Sequence, residues 1–190
     1  MPAALMPRDE VVERLMKVVR RHGYDGASLA ELSKATGLGR SSLYHHFPDG
    51  KDDMVRAVLD QLEEGLRTLI FEPLREPRPP RRRLEQMIKT VAAYYDGGRE
   101  ACVIGNLVLG TSRTRFHARL RTIFEEWIDA VAAALLDAGV SRAESRALAE
   151  DAVVRMEGAL IVAHGTGDTA VFSRTLKRIG ADLVAATNTG

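Results

Sequence analysis

Six polar side chains lie close together between residues 40 and 46, and several of them could donate hydrogen bonds: Arg40, Ser41, Ser42, Tyr44, His45 and His46. An arginine fork can grip a phosphate or read guanine, and hydroxyl groups can bind phosphates or base edges. Leu43 and Phe47 are four residues apart, the spacing that puts two apolar groups on one face of a helix. The pattern indicates nucleic-acid recognition by the polar face of a short helix.

Signals on both sides of this segment predict a helix, a tight turn and a second helix. Ser28 and Glu31 form the Ser-x-x-Glu pattern of a capping box, which starts a helix. Gly37 suits the left-handed conformation that ends one. Pro48 ends the second helix, because the residue before a proline is pushed out of helical geometry. We therefore predict a helix-turn-helix with its recognition helix at about residues 40–46.

The rest of the 190-residue chain repeats apolar side chains at helical spacing and shows little strand-type alternation. We predict an all-α fold of about nine helices, in which a helix-turn-helix domain (residues 1–50) precedes a ligand-binding and dimerisation domain (residues 51–190). The predicted helices of the second domain cover about residues 51–73, 84–95, 101–110, 115–138, 144–164 and 169–186. The Pro/Arg-rich stretch at residues 75–83 is predicted to be a solvated linker.

The charge pattern bears on how tightly the segment could hold DNA. The net charge of the chain is +1, and residues 28–51 carry three bases, Lys34, Arg40 and Lys51, against two acids. Phosphate neutralisation supplies much of the affinity for DNA, so one copy should bind weakly. We therefore expect an obligate dimer, which doubles the contacts.

Other functional classes lack their residue patterns. The single Cys102 excludes an intrachain disulfide and is compatible with a reducing cytosol, and no apolar run approaches the roughly 20 residues of a membrane span. We expect a cytoplasmic protein. The five histidines show no metal-binding spacing, and no catalytic constellation or phosphate-binding glycine loop is present. We expect no enzyme activity, no catalytic residue, no metal and no cofactor.

Residues 27–48 closely resemble the signature of the TetR family of bacterial transcriptional repressors. Leu-Tyr-His-His-Phe-Pro at residues 43–48 is the most specific part. The Gly-Lys pair at residues 50–51 and Cys-Val-Ile-Gly-Asn-Leu at residues 102–107 resemble a subgroup that contains LmrA and YxaF. The strong resemblance covers about the first third of the chain. Ser33 departs from the family pattern, which usually has alanine there, but serine is small enough for the fold to survive.

The resemblance implies a two-fold dimer that binds a palindromic double-stranded DNA operator through recognition helices in successive major grooves. It also implies that a small, often hydrophobic or aromatic effector releases the DNA. The residues that it places at DNA are Ser28, Arg40, Ser41, Ser42, Tyr44, His45 and Lys51. Ser28 serves first as a helix cap, and His46 is assigned to structure.

The resemblance also implies an effector pocket among the fourth and following helices. The candidate lining residues, each of which is also compatible with an ordinary core position, are Met87, Tyr94, Asn106, Phe124, Trp127 and Met156. The last two helices are expected to pair with their copies in a homodimer as a four-helix bundle. The fourth helix is the expected lever between the pocket and the DNA-reading unit.

Two alternatives belong to other classes. The first is a helical protein that binds or sequesters small molecules and keeps a vestigial helix-turn-helix, which the weak local charge favours slightly. The second is a helical enzyme, which needs a polar cluster in the pocket that the sequence does not reveal.

Overall fold

The computed structural model describes residues 6–111 and 113–188, and within these ranges it contains nine α-helices and no β-strand. In chain order they are α1 (Arg8–Gly26), α2 (Leu29–Thr36), α3 (Arg40–His46), α4 (beginning as Lys51–Leu66), α5 (Pro80–Tyr94), α6 (Val103–Leu109), α7 (Arg113–Leu136), α8 (Arg142–Thr166) and α9 (Ala170–Ala186). The predicted all-α fold with about nine helices is confirmed. No helix in the described ranges is long and apolar enough to cross a membrane.

Helix α4 changes its hydrogen-bonding pattern part of the way along. A π-helical segment, Arg67–Phe71, follows the first part of the helix, and Glu72–Arg75 forms a last α-helical turn. The Glu72 N–H donates to the carbonyl oxygen of Arg67, five residues earlier, as a π-helix requires. The predicted helix from residue 51 to about 73 is thus present, with one wider turn inside it.

The chain divides into two compact units. The first contains the residues up to Glu64 together with residues 103–117, and the second contains residues 65–102 and those from Ala118 onward. The chain passes between the units within α4, at the peptide bond between Cys102 and Val103, and within α7. The functional boundary predicted at residue 50 stays a prediction.

The signals that predicted the helix ends near the turn act as expected, with one difference. The Ser28 Oγ accepts a hydrogen bond from the Glu31 N–H at 3.2 Å, and Gly37 is left-handed with φ of 72°. The Gly37 N–H donates to the Ser33 carbonyl at 2.9 Å. The Ser28 N–H, however, donates to the Gly26 carbonyl at 2.9 Å. The Ser28 side chain therefore forms its half of the capping box. The other half would be a bond from the Ser28 N–H to the Glu31 side chain, but this N–H donates to the Gly26 carbonyl.

Helix α1 is interrupted at Gly23, which has non-helical φ of 62° and ψ of −169°, and a short helical segment follows to Gly26. One predicted boundary was wrong. Helix α5 begins at Pro80, inside the predicted linker, since a proline suits a first helical position that needs no N–H partner. Arg83 is buried, donating from Nη1 to the Leu74 carbonyl at 2.7 Å and from Nη2 to Asp137 at 2.8 Å. The last part of that linker therefore belongs to the core.

Aromatic side chains form much of the core of the second unit. Trp127 and Tyr95 are fully buried, and Phe172 packs edge-on against Tyr95 with ring centroids 5.9 Å apart. Gly98 permits this packing, since a Cβ placed there would lie 2.7 Å from the Phe172 Cβ. The backbone of Gly98 also has φ of 98°, which side chains rarely tolerate. Space and backbone conformation both require glycine at this position.

Replacing Gly98 with alanine should lower the free energy of unfolding by about 2–4 kcal/mol, from backbone strain and overpacking together. The measurement is urea denaturation followed by the fluorescence of Trp127, the only tryptophan. Gly65→Ala is the control, because Gly65 lies in α4 with open space around its Cβ position. That change should be neutral or stabilising by up to about 1 kcal/mol. Equal effects of the two substitutions would contradict this account of Gly98.

Candidate DNA-binding surface and effector site

The recognition helix α3 stands on two buried side chains. Leu43 and Phe47 are both fully buried and fix which face of the short helix points inward. Arg14 of α1 donates to the Thr36 carbonyl at 3.3 Å, and the Thr36 hydroxyl donates to the Leu32 carbonyl at 2.8 Å. These contacts connect the turn and α2 to the first helix. The polar face of α3 is therefore held on a packed three-helix base.

The predicted DNA-contacting residues of α3 lie largely on its open side. The exposed ones are Arg40, Ser41, Tyr44 and His45, and Ser42 is partly buried. Ser28, at the start of α2, is exposed as well. His46 is partly buried, its Nε2 is buried without a hydrogen-bond partner in the described part of the chain, and its ring lies 6.1 Å from that of Phe47. His46 thus packs beside Phe47, and its assignment to structure stays a prediction.

The turn between α3 and α4 holds Tyr44 in place. Gly50 is left-handed, with φ of 71°, and its N–H donates to the Phe47 carbonyl at 2.9 Å. A Cβ at Gly50 would lie 3.3 Å from Cε1 of the Tyr44 ring, so the ring packs closely over this backbone. Tyr44 as a whole is 44% exposed, so it remains accessible from the other side.

Lys51, the first residue of α4, is held against an aromatic ring. Its Nζ lies 4.2 Å from the centroid of the Tyr24 ring, within the range of a cation–π interaction. Partial burial lowers the pKa of Lys51, while the nearby carboxylates of Asp25 and Asp52 act in the opposite direction. The ammonium is therefore positioned by the end of α1, beside the recognition helix.

Asp52 collects hydrogen bonds from two other helices. The Tyr24 hydroxyl donates to its Oδ1, and Arg115 donates to its Oδ2 at 2.6 Å. The bond from Tyr24 and, after it, the bond and charge of Arg115 lower the pKa of Asp52. Burial and the bond to Asp52 raise the pKa of the Tyr24 hydroxyl. One carboxylate thus connects α1, α4 and α7 within the first unit.

Residues 103–117 contact α1 at two further places. Asn106 donates from its amide to the Arg20 carbonyl at 2.6 Å, and the Thr111 N–H donates to Asp25 at 2.9 Å. The Thr111 hydroxyl also donates to Asp25. Both pairs are 86 residues apart in sequence. Sequence reasoning missed this set of contacts, because no local pattern indicates which backbone carbonyl an amide will reach.

The predicted effector residues fall into the two units unequally. Met87, Trp127 and Met156 are buried in the second unit, while Tyr94 and Phe124 are partly buried there. Asn106 belongs to the first unit. Among them Trp127 has a distinctive feature, since its Nε1 is buried and has no hydrogen-bond partner in the described residues. Their assignment to an effector remains a prediction.

Two family models match the chain. The model of "Bacterial regulatory proteins, tetR family" matches residues 12–58, and that of "Transcriptional regulator LmrA/YxaF-like, C-terminal domain" matches residues 80–178. The chain belongs to the TetR family of bacterial regulators and has an LmrA/YxaF-like C-terminal domain. It is a DNA-binding transcriptional regulator and not an enzyme, as the sequence predicted.

Similar proteins span most of the chain. The transcriptional regulator LmrA of Bacillus subtilis is 24% identical over 161 residues, which cover 82% of this chain and 85% of LmrA. The transcriptional repressor DhaR of Mycobacterium sp. is 27% identical over 147 residues, covering 76% of this chain and 73% of DhaR. Among solved structures, a cysteine mutant of the TetR-family regulator CifR, complexed with 26-bp operator DNA, matches with a TM-score of 0.72 and 18% identity over 99% of this chain and 98% of that one. That last likeness shows the shared fold.

Replacing Asp52 with asparagine should destabilise the protein at pH 7 by about 1 kcal/mol more than Asp53→Asn does. Both changes remove a negative charge from the first turn of α4, but only Asp52 accepts from Tyr24 and Arg115. The pKa of Asp52 is lower in the folded protein than in the unfolded chain. Its contribution to the free energy of unfolding is therefore fully present above the ordinary carboxyl pKa of 3.8, and it is lost as the pH falls below that value through the lowered pKa. Urea denaturation at pH 7 and at about pH 2 measures both differences. A gap between the variants that does not shrink at the acidic pH would contradict this.

Proposed function

We propose that the protein is a dimeric repressor that binds a palindromic operator and releases it when a small, hydrophobic or aromatic effector binds. The observation that carries the DNA-binding part is the exposed polar face of α3, which stands on buried Leu43 and Phe47. The relative DhaR is named as a repressor, which supports repression as the mode of regulation.

The side chains at this surface divide into base-reading and phosphate-binding groups. Arg40 is exposed at the start of α3 and has the fork geometry that reads guanine or binds phosphate. Tyr44 and His45 contact DNA beside it, and Ser41 and Ser42 donate to bases or phosphates. Lys51 binds phosphate as a point charge, held in place by the Tyr24 ring. The phosphate contact of Ser28 is secondary to its cap.

Dimerisation uses α8 and α9, which pair with their copies as a four-helix bundle. Val154 and Ile161 are 69% and 55% exposed and lie seven residues apart, on one face of α8. Val162 beside them is also exposed. A row of exposed apolar side chains on one helix is typical of an interface. The second copy supplies the additional phosphate contacts that a weakly basic surface needs.

The effector acts by selecting one of two dimer geometries. In the DNA-binding geometry the two recognition helices are about 34 Å apart, which is one turn of DNA. The effector binds the second unit and favours a geometry in which this separation is wrong. Helix α4 is the lever, because it begins at the phosphate-binding Lys51 and continues into the second unit. The operator-binding protein works in the cytoplasm, where its DNA is.

One observation favours a second function. Residues 28–51 carry a net charge of only +1, as expected for a protein that sequesters small molecules and keeps an inactive helix-turn-helix. The two functions differ in the effect of salt. A repressor loses affinity for DNA steeply as salt rises, whereas a sequestering protein has no specific affinity to lose.

Lys51→Ala should weaken binding to the DNA upstream of the protein's own gene about tenfold, and about equally on unrelated DNA, because the contact is to phosphate. Arg40→Ala should cost about 1–3 kcal/mol on the specific site and reduce the preference for it. Fluorescence anisotropy with labelled duplexes, titrated at several salt concentrations, measures both affinities.

The control for these variants is Lys17→Ala, which removes one positive charge from the exposed side of α1, where Lys17 pairs with Glu13 at 3.0 Å. It should leave DNA binding unchanged. If Arg40→Ala and Lys51→Ala behave like the control, or if salt has no effect on the wild type, the sequestering function is preferred.

Ile161→Arg should convert the dimer to a monomer that stays folded and no longer binds the operator, because it places a charge in the proposed interface. Sedimentation velocity gives the oligomeric state, and circular dichroism checks the fold. Leu176 of α9 is unsuitable for this test, since it is buried within the chain and its replacement would disrupt the core. Thr122→Arg, an equal charge change at an exposed position of α7, should leave the dimer intact. An intact Ile161→Arg dimer would rule out this face.

A further inference from the structure

Three polar side chains form a hydrogen-bonded chain inside the second unit. The Tyr95 hydroxyl lies 3.5 Å from Cys102 Sγ and donates to it, and the Cys102 thiol donates to the carboxylate of Glu157. Tyr95 directly follows α5, Cys102 directly precedes α6, and Glu157 lies on α8. Tyr95 and Cys102 are buried. The chain of donors therefore ends on a carboxylate that faces the interior.

The carboxylate of Glu157 has one oxygen that the fold leaves unpaired. Its Oε1 is buried and has no hydrogen-bond partner among the described residues. Burial raises the pKa of Glu157, and the bond from Cys102 opposes that rise. Among the described residues, no arginine or lysine charge is a cause of this pKa shift. An unpaired buried oxygen on a carboxylate is costly, and a bound group that donates a hydrogen bond and carries positive charge would remove that cost.

Aromatic rings are concentrated next to this chain of polar groups. Tyr95 packs edge-on against Tyr94, with centroids 5.0 Å apart, and against Phe172 at 5.9 Å. Aromatic side chains provide apolar surface, and their faces attract cations. These aromatic surroundings thus suit the apolar or aromatic part of a ligand, while the free oxygen of Glu157 suits a positively charged hydrogen-bond donor on the same ligand.

We infer that Glu157 anchors an effector that combines an apolar or aromatic body with a protonated amine, and that the amine donates to the free oxygen Oε1. A neutral hydroxyl could also donate to this oxygen, but it would leave the carboxylate without a countercharge. The inference gives a chemical class to the effector of the proposed function and rests on that function for the link to DNA release. Glu157 itself was not among the residues predicted from the sequence.

The position of Cys102 connects this site to the first unit through the backbone. Cys102 donates to Glu157 and is followed at once by Val103, the first residue of α6. Helix α6 contacts α1 through Asn106, whose amide donates to the Arg20 carbonyl. An amine on the free oxygen Oε1 changes the charge of the carboxylate to which Cys102 donates, one residue before this helix begins. The protein backbone therefore links the proposed effector site directly to a helix of the DNA-reading unit.

The test compares three probes of nearly equal size: 4-phenylbutylamine, which is cationic, 4-phenylbutanol, which is neutral, and 4-phenylbutyrate, which is anionic. Binding to the full-length protein is measured by isothermal titration calorimetry, with fluorescence of the single Trp127 as a second signal. We expect the amine to bind at least about tenfold more tightly than the alcohol, since a charge-assisted hydrogen bond is stronger than a neutral one. The carboxylate probe should bind most weakly.

Glu157→Gln keeps the size of the side chain and removes its charge. It should weaken amine binding at least about tenfold and leave alcohol binding within about twofold of the wild type. Glu150→Gln is the control on the same helix, because Glu150 is exposed and pairs with Arg146 at 2.7 Å. It should bind all three probes like the wild type.

Three results would overturn the inference: no amine binding by the wild type, equal binding of the amine and the alcohol, or unchanged amine binding by Glu157→Gln. These titrations contain no DNA, so they are independent of the operator-binding experiments. If the amine binds through Glu157 but the protein does not bind DNA, the repressor proposal fails and the amine site is supported. If the protein binds DNA but no amine, the amine site fails and the repressor proposal is supported.

Discussion

The hydrogen bonds to the carboxylate of Asp52 hold α1, α4 and α7 together within the first unit. This carboxylate stands next to Lys51 in the first turn of α4, accepts from the Tyr24 hydroxyl of α1, and accepts from Arg115 of α7. The Tyr24 ring in turn carries the Lys51 ammonium. The position of the proposed phosphate-binding group therefore depends on side chains from three helices.

This dependence makes residues 103–117 part of the DNA-reading unit, although they lie far from it in sequence. Asn106 and Thr111 bond to α1, and Arg115 bonds to α4. The fourth helix is the proposed lever between the pocket and the DNA-reading unit. The chain also passes between the two units at the peptide bond between Cys102 and Val103, directly beside the proposed amine site. The proposed effector response therefore has two backbone paths, through α4 and through this bond.

The features predicted from the sequence were those that local chemistry determines. The cap at Ser28, the left-handed Gly37 and the inward pair Leu43 and Phe47 each depend on residues within a few positions. What the sequence did not reveal are partners that folding brings together, such as the carbonyl of Arg20 for Asn106 and the interior location of Glu157. Glutamate on a helix is ordinarily a surface residue, so nothing local distinguished Glu157 from exposed acids of the same helix such as Glu150.

The π-helical segment Arg67–Phe71 affects how this chain can be aligned with its relatives. A π-helical turn accommodates one more residue than an α-helical turn of the same position in the fold. In a relative with an uninterrupted fourth helix, an alignment without a gap shifts by one position beyond this segment. One position along a helix is about 100° of rotation, which moves each residue to a different face of the helix. Phe71 and Leu74, both buried here, would then be matched to residues on a different face. Transfer of pocket residues from a relative of that kind therefore requires the π-helical turn to be matched first.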